Sequence, residues 1–146
     1  MTEVHKTALV LHTAEQMFDL INDVARYPDF VPWCSKVEVK HDTADSIEAT
    51  LYVSKAGLNY HFTTRNSKKR PVYMDMALVE GPFSAFSAVW TLTPLSDEAC
   101  KVEFSMRFDF SGKLASFAMG KVFNSVATTM VDVFVQRADE LYGSGF

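Results

Sequence analysis

The stretch KVEFSMRFDFSGKLASFAMGKVFNSVATTMVDVFVQRADELY, residues 101–142, decides the fold. Residues 101–110 alternate between polar and apolar side chains, the pattern of a β-strand with one buried face. From residue 112 onward, apolar residues recur at about every fourth position, as on one face of a helix. They are Leu114, Ala118, Val122, Val126, Met130 and Phe134. A half-buried strand should therefore run into a long amphipathic helix over residues 112–142, with Ser111 as its N-cap.

Alternation also predicts strands upstream, over residues 35–110. Turn-forming residues cluster at 42–45, 56–57, 66–71, 81–82 and 96–99, a spacing typical of antiparallel hairpins. With residues 3–12 included, we expect about seven strands. The inward face is predicted to carry Val37, Val39, Ile47, Ala49, Leu51, Val53, Leu58, Tyr60, Phe62, Val72, Met74, Met76 and Leu78.

A first helix is predicted over residues 13–25. Thr13 and Gln16 have the spacing of a capping box, and apolar residues follow at helical period. Pro28 is expected to end this helix. Residues 29–33 (DFVPW) then predict a small lid whose large apolar side chains need cover.

The chain has 146 residues, of which 48% are hydrophobic and 22% charged, which predicts one folded domain over residues 1–146. A sheet with one wet face must bury its other face, and the long terminal helix is the main element available to cover it. The predicted class is therefore α+β, with a curved antiparallel sheet wrapped around a C-terminal helix.

The composition and the first residues of the chain predict where in the cell the protein is located. No apolar run reaches the roughly 18 residues of a membrane-spanning helix, and residues 1–20 lack the pattern of a secretory signal. We therefore expect a soluble, cytoplasmic protein in which Cys34 and Cys100 are reduced thiols. The net charge of −4 disfavours nonspecific attraction to nucleic acid, and we expect no DNA partner.

Motifs for catalysis are missing from the sequence. The four histidines lack the spacing of helical metal ligands, so no metal site is expected, and no nucleotide loop or GxSxG elbow occurs. Ionisable residues near the ends of the predicted elements have structural interpretations. Asp23 fits a helix end, Arg65 and Arg107 fit cross-strand ion pairs, His61 should point outward, and Asp109 lies on the wet face. We expect no catalytic residue.

Two features leave alternatives open. The apolar space between sheet and helix is typical of a ligand pocket, but the same side chains could fill an ordinary core. A basic cluster, predicted in a turn and approached by Lys55, fits contacts to RNA phosphates or, transiently, to anionic membrane lipids. It equally fits a charged turn that keeps a hairpin soluble. The cluster comprises Lys55, Arg65, Lys68, Lys69 and Arg70.

Several blocks together resemble the coenzyme-Q-binding START-like family, over about residues 6–142. They are NDV (22–24), YP (27–28) with Phe30, Pro32 and Cys34, VSKAGL (53–58), FTTRN (62–66), EGPF (80–83), PLS (94–96), EAC (98–100) and EF (103–104). The resemblance implies the helix-grip fold, in which a curved antiparallel sheet grips a long C-terminal helix. It also implies no catalysis and no required cofactor.

Two functions follow from the resemblance. Some members bind ubiquinone and support respiration, which implies an isoprenoid quinone or similar lipid as the ligand here. The bacterial members that the chain resembles most are described as toxins that bind the large ribosomal subunit and block subunit joining. The resemblance and the apolar pattern together predict a cavity lined by Phe30, Val31, Trp33, Leu58, Phe62, Trp90, Phe104, Phe108, Phe123, Val126, Ala127 and Met130.

Overall fold

A computed structural model describes residues 2–143, and of residues 113–118 it describes the backbone alone. Within these residues, seven antiparallel strands form one sheet in the order β1-β7-β6-β5-β4-β3-β2. The strands are β1 (Thr2–Val10), β2 (Cys34–Asp42), β3 (Ser46–Lys55), β4 (Leu58–Lys69), β5 (Tyr73–Glu80), β6 (Phe83–Ser96) and β7 (Ala99–Phe110). The helices are α1 (Ala14–Asn22), a 3₁₀ turn (Val24–Arg26), α2 (Tyr27–Phe30) and α3 (Lys113–Tyr142).

Residues 101–142 fold as the predicted strand followed by a long helix. In β7 the five apolar residues are buried, and α3 then packs against β7 and β1. On α3, Val126, Met130 and Phe134 are buried as expected, whereas the side chains of Leu114 and Ala118 lie outside the described residues. The predicted cap is wrong. Gly112, at φ 87°, precedes α3 in place of Ser111 and makes no side-chain cap, because a residue in the left-handed region is needed to turn the chain from β7.

The first helix begins at its predicted cap. The Thr13 hydroxyl accepts from the Gln16 amide, and the Gln16 side chain accepts from the Thr13 amide. The prediction that Pro28 ends this helix is wrong, because α1 ends at Asn22 and Pro28 lies in the first turn of α2. Proline is tolerated there because first-turn amides have no partner within the helix.

Three details of the predicted sheet are also wrong. Residues 66–69 belong to β4 instead of a turn, because Asn66 and Lys68 point inward and are buried while Ser67 and Lys69 pair with β5. Val39 and Val72 are exposed, since one lies near the end of an edge strand and the other precedes β5. The other four predicted turns join strands as expected.

Gly81 lets the turn between β5 and β6 approach β4 closely. A Cβ added to Gly81 would lie 2.7 Å from the Cβ of Phe62, and φ is +155°. By contrast, a Cβ at Gly120, inside α3, would meet no atom within 4 Å. The first glycine is therefore required by the fold, and the second is not.

We predict opposite effects of alanine at these two positions. Gly81→Ala should lower the free energy of unfolding by at least about 2 kcal/mol through backbone strain and overlap with Phe62. Gly120→Ala should raise it by about 1 kcal/mol because alanine is the better helix former. Urea denaturation of both variants measures the two changes, and equal destabilisation would show that the described turn geometry is wrong.

Candidate functional site

Aromatic side chains fill one part of the space between the sheet and α3. Phe123 of α3 lies at its centre, with ring centroids 4.9 Å from Phe108, 5.2 Å from Phe83 and 5.7 Å from Phe110. Phe62 and Phe86 complete the group, at 6.0 and 6.5 Å from Phe123. We call these six residues the Phe123 cluster. Three strands (β4, β6 and β7) and the terminal helix thus meet through edge-to-face ring contacts, which are favourable beyond their area alone.

A second aromatic group lies beneath the lid formed by α2. The ring of Phe134 on α3 contacts Tyr27 at 5.2 Å, Trp90 at 5.3 Å and Phe30 at 5.4 Å between centroids. Trp90 in turn contacts Phe104 at 4.5 Å. We call these five residues the Phe134 cluster. The Tyr27 hydroxyl donates to the carbonyl of Ile21, which attaches the lid to the end of α1.

Smaller side chains separate the two clusters. Phe123 and Phe134 are three helical turns apart, or about 16 Å along α3. Between them, Val126, Ala127 and Met130 are all buried. The sheet opposes them with a buried apolar surface that includes Ile47, Ala49, Leu51, Met74, Ala88 and Met106. This interior is an elongated apolar layer with packed aromatic rings at each end.

The structure brings eleven of the twelve predicted cavity residues together in one hydrophobic cluster, and Leu58 lies outside it. Phe30 and Leu58 are half-buried, and the other ten are buried in one hydrophobic cluster. The cavity prediction omitted Tyr27, Phe83, Phe86, Phe110 and Phe134, which complete the two aromatic clusters. Two signals in the sequence indicated them. Phe110 continues the apolar alternation of β7, and Phe134 continues the apolar stripe of α3.

A groove opens beside the Phe134 cluster, between the lid and the C-terminal half of α3. It has a volume of about 280 Å³ and is lined by Asp29, Phe30, Pro32, Val133, Gln136, Arg137 and Glu140. The Arg137 guanidinium lies over the Phe30 ring, 5.1 Å from its centroid, and also bonds Glu140 at 3.2 Å. Displacement of Phe30 would connect this groove to the buried interior.

The predicted basic cluster is divided between two faces of the sheet. The Lys68 side chain is 4% exposed, and its Nζ donates to Asp42 Oδ1 at 2.6 Å and Asn22 Oδ1 at 2.9 Å. It therefore joins β4, β2 and α1. The Lys55 Nζ donates to Ser125 Oγ of α3 at 3.3 Å. These two ammonium groups serve contacts within the chain.

The other members of the cluster face solvent. Arg70 makes two hydrogen bonds to the Asp19 carboxylate, at 2.8 and 2.9 Å. Arg65 pairs with Glu48 across β3 and β4 at 2.7 Å, the cross-strand pair predicted for it. Lys69 is exposed and has no ion pair with a described residue. On the outer face of β4 the exposed bases are therefore Lys69 and Arg65, and the charge of Arg65 is partly offset by Glu48.

Four buried side-chain atoms lack a hydrogen-bond partner among the described residues: Trp33 Nε1, the Tyr60 hydroxyl, Asn66 Oδ1 and Arg137 Nε. The Trp33 Nε1 and the Tyr60 hydroxyl are shielded from solvent and accept or donate no hydrogen bond within the described chain. Burial raises the pKa of Tyr60, so its phenol stays protonated. Burial also raises the pKa of the free thiols Cys34 and Cys100 to about 11, so both remain protonated near neutral pH.

The remaining polar groups have structural contacts. His12 is buried and its Nε2 lies 2.7 Å from Asp139 Oδ1, linking the end of β1 to α3. His61 is exposed on the outer face, as predicted, and Arg107 pairs with Glu3 at 3.0 Å. Among the described residues, no three His, Cys, Asp or Glu side chains are grouped as metal ligands would be. No helix within residues 2–143 is long and apolar enough to cross a bilayer.

Sequence comparison identifies two kinds of similar protein. The family described as "Polyketide cyclase / dehydrase and lipid transport" matches residues 10–135. The chain is 46% identical over 143 residues to the ribosome association toxin RatA of Vibrio cholerae, covering 98% of this chain and 99% of the relative. It is 28% identical over 149 residues to the mitochondrial coenzyme Q-binding protein COQ10 homolog B of Xenopus laevis, covering 97% of this chain and 59% of the relative.

Solved structures share the fold. The Zhui aromatase/cyclase from a Streptomyces species superposes with a TM-score of 0.83 at 19% identity, covering 94% of this chain and 93% of that one. A START superfamily protein from Mycobacterium smegmatis gives a TM-score of 0.80 at 16% identity, covering 95% and 98%. At these identities the likeness establishes the architecture alone, and that architecture is the predicted helix-grip fold.

Proposed function

The chain belongs to the polyketide cyclase/dehydrase and lipid transport family, and we propose that it is a nonenzymatic cytoplasmic protein that binds an isoprenoid quinone such as ubiquinone between its sheet and α3. The observation that carries the proposal is the apolar interior with an aromatic cluster at each end. No covalent step is needed for such a role, and no resident cofactor enters it.

The interior supplies the interaction that a prenyl tail requires. Apolar surface removed from water contributes about 25 cal/mol per Å², so each 100 Å² of buried tail contributes about 2.5 kcal/mol. Phe123 and Phe134 define the two ends of a path about 16 Å long. In the described structure the aromatic side chains contact one another, so a tail would enter by displacing rings near the lid.

The relatives give independent support for a quinone. A protein named for coenzyme Q binding matches almost the whole chain. The aromatase/cyclase neighbour shares the architecture, yet catalysis would require ionisable groups that face the ligand. On the inner face of β4 the ionisable side chains are Lys68, whose ammonium is occupied by Asp42 and Asn22, and Tyr60, whose pKa is raised by burial so that its phenol stays protonated. Binding without catalysis is therefore the simpler function for this interior.

We predict that Val126→Asp abolishes quinone binding. Val126 is fully buried between the two clusters, and a carboxylate there would have to be desolvated beside an apolar tail. The affinity for a short-tailed ubiquinone, measured by quenching of tryptophan fluorescence, should fall at least about 100-fold. Asn124→Asp, which adds the same charge at an exposed position of α3, should bind as the parent does.

Ala127→Leu provides a second variant in case Val126→Asp does not fold. Ala127 is fully buried, so the larger side chain occupies the same layer without adding charge. It should also weaken binding while circular dichroism shows a folded protein. Unchanged affinity in both folded variants would contradict this location of the ligand.

A second candidate function is association with the large ribosomal subunit, followed by inhibition of subunit joining. The observation that favours it is the relative from Vibrio cholerae, which is named for ribosome association and matches along nearly its full length. Lys68 and Lys55 are engaged inside the chain, and Arg70 pairs with Asp19 of α1. Contacts to rRNA phosphates would therefore come from the outer face of β4, from Lys69 and from Arg65, which would exchange Glu48 for a phosphate. Transient contact with an anionic membrane would use the same two side chains.

Charge reversal tests that surface directly. Co-sedimentation with purified large subunits should weaken about tenfold in the Arg65→Glu, Lys69→Glu variant, with steep salt dependence in the parent. The matched control is Lys6→Glu, Lys101→Glu, which makes the same change of net charge on β1 and β7 at the other side of the sheet. Equally weakened co-sedimentation of both variants would indicate that net charge, and not a local contact, determines binding. Unchanged co-sedimentation of both would exclude this surface as the contact.

A further inference from the structure

We propose that the Trp33 Nε1 and the Tyr60 hydroxyl form the polar end of the ligand site, where they donate hydrogen bonds to carbonyl oxygens of the bound lipid's head. This inference rests on the proposed lipid-binding function and specifies which head group the site selects. The ligand class is a lipid whose head carries carbonyl acceptors, with a quinone ring as the favoured case.

Both donors are buried without a partner. The Trp33 side chain belongs to a residue only 3% exposed, and its indole nitrogen makes no hydrogen bond. Tyr60 is half-buried, but its hydroxyl oxygen is shielded from solvent and also has no partner. An unpaired buried donor costs free energy comparable to a lost hydrogen bond. The other two unpaired buried atoms are Asn66 Oδ1, which is an acceptor, and Arg137 Nε, whose guanidinium already bonds Glu140. Trp33 and Tyr60 are therefore the two uncharged unpaired donors, and a ligand with acceptor oxygens would satisfy both.

Strand register brings the two residues to one end of the sheet. Tyr60 on β4 pairs with Val53 on β3, and Val53 pairs with Cys34 at the start of β2. Trp33 directly precedes Cys34, and its carbonyl accepts from the Ser54 amide at 2.8 Å. Trp33 and Tyr60 are therefore separated by about two strand spacings, or about 10 Å between backbones. Side chains as long as indole and phenol reach across much of that distance.

Apolar side chains surround both donors. The Tyr60 ring contacts Phe110 of the Phe123 cluster, with centroids 5.7 Å apart. Trp33 is buried in the same hydrophobic core and directly precedes Cys34, which pairs with Val53. A head group held at this end therefore lies next to aromatic rings, and its tail can extend along α3 past Val126 and Met130.

The chemistry of the donors restricts the head. The indole nitrogen of Trp33 donates a hydrogen bond and cannot accept one. The Tyr60 hydroxyl can do either, and it donates when its partner is a carbonyl, because a carbonyl only accepts. Neither donor carries a positive charge, so the site gives no ion-pair preference for a phosphate or a carboxylate. A neutral head with acceptor oxygens fits, whereas a hydrocarbon tail without oxygen leaves both donors unpaired.

Removal of each donor tests the inference with two readouts that move in opposite directions. Trp33→Phe and Tyr60→Phe should each lower the affinity for a short-tailed ubiquinone about tenfold, while affinity for squalene, an isoprenoid without oxygen, stays within about twofold. The Tm of the ligand-free Tyr60→Phe protein should stay equal or rise, because that variant removes only an unpaired buried hydroxyl. Trp33→Phe also removes buried ring volume, so its Tm does not report on the lost donor alone. Tyr52→Phe is the matched control, since the Tyr52 hydroxyl bonds Glu38 on the outer face.

Ester and quinone carbonyls are distinguished in the same assay. A methyl ester of a prenyl carboxylic acid presents one carbonyl, so only one of the two substitutions should lower its affinity. Both substitutions should lower the affinity for the quinone. Infrared spectra of bound quinone labelled with ¹³C at its carbonyls should show the carbonyl stretch at lower frequency in the parent than in either variant.

Four results overturn the inference. Affinities for quinone and squalene that fall equally would show that the rings act by packing alone. A lower Tm of the Tyr60→Phe protein with unchanged quinone affinity would show that the Tyr60 hydroxyl is satisfied within the protein or by a buried water. If the parent binds neither lipid, the proposed lipid-binding function fails together with this inference, whereas unchanged binding by both variants of a parent that binds quinone rejects the inference alone.

Discussion

The packing of α3 against the aromatic inner face of the sheet is the constraint on which the rest of the structure depends. A seven-stranded antiparallel sheet cannot bury one face by itself, and α3 is the one helix long enough to cover it within residues 2–143. Phe123 and Phe134 anchor the helix at two places, each surrounded by rings from several elements. Full burial of one such side chain contributes about 1.5–3 kcal/mol, so these two contacts set the position of the helix and the shape of the interior.

The same contacts have to serve stability and binding. Rings that pack against one another stabilise the ligand-free protein, and they must separate when a lipid enters. The lid is suited to that movement because α2 is a single turn, anchored by the Tyr27 hydroxyl at one end and covering Phe134 with Phe30. The unpaired donors at Trp33 and Tyr60 carry a cost in the ligand-free state. A protein selected for stability alone would have apolar side chains at those positions.

Periodicity in the sequence predicted most of the fold. The change of period after Phe110 located α3, and the alternation in β7 located the buried face of the sheet, because each pattern follows from local backbone geometry. Most of the buried residues between the sheet and α3 followed from the same patterns combined with the family resemblance. Predictions from local sequence patterns were wrong where a contact with a residue distant in sequence determines the conformation. Residues 66–69 have the composition of a turn, but Asp42 and Asn22 give Lys68 partners that keep it inside the sheet.

The basic cluster shows the same limit for function. Its residues are close in sequence, yet strand alternation sends Lys68 inward while Arg65 and Lys69 face out, and Asp19 of α1 pairs with Arg70. The unpaired Trp33 and Tyr60 donors were equally hidden from sequence, because the lack of a partner depends on every neighbour in the fold. Long-range contacts therefore determine the polar chemistry of the site, whereas local periodicity determines its apolar frame.

The central claim is that the space between the sheet and α3 holds a quinone in the cell. The most direct measurement is solvent extraction and mass spectrometry of the protein purified from a quinone-producing bacterium, washed free of ribosomes, with an unrelated protein of similar size as control. The account predicts quinone close to one molecule per protein and none above background in the control. A protein that is empty on purification and takes up no added quinone would contradict it, and the aromatic interior would then be an ordinary core.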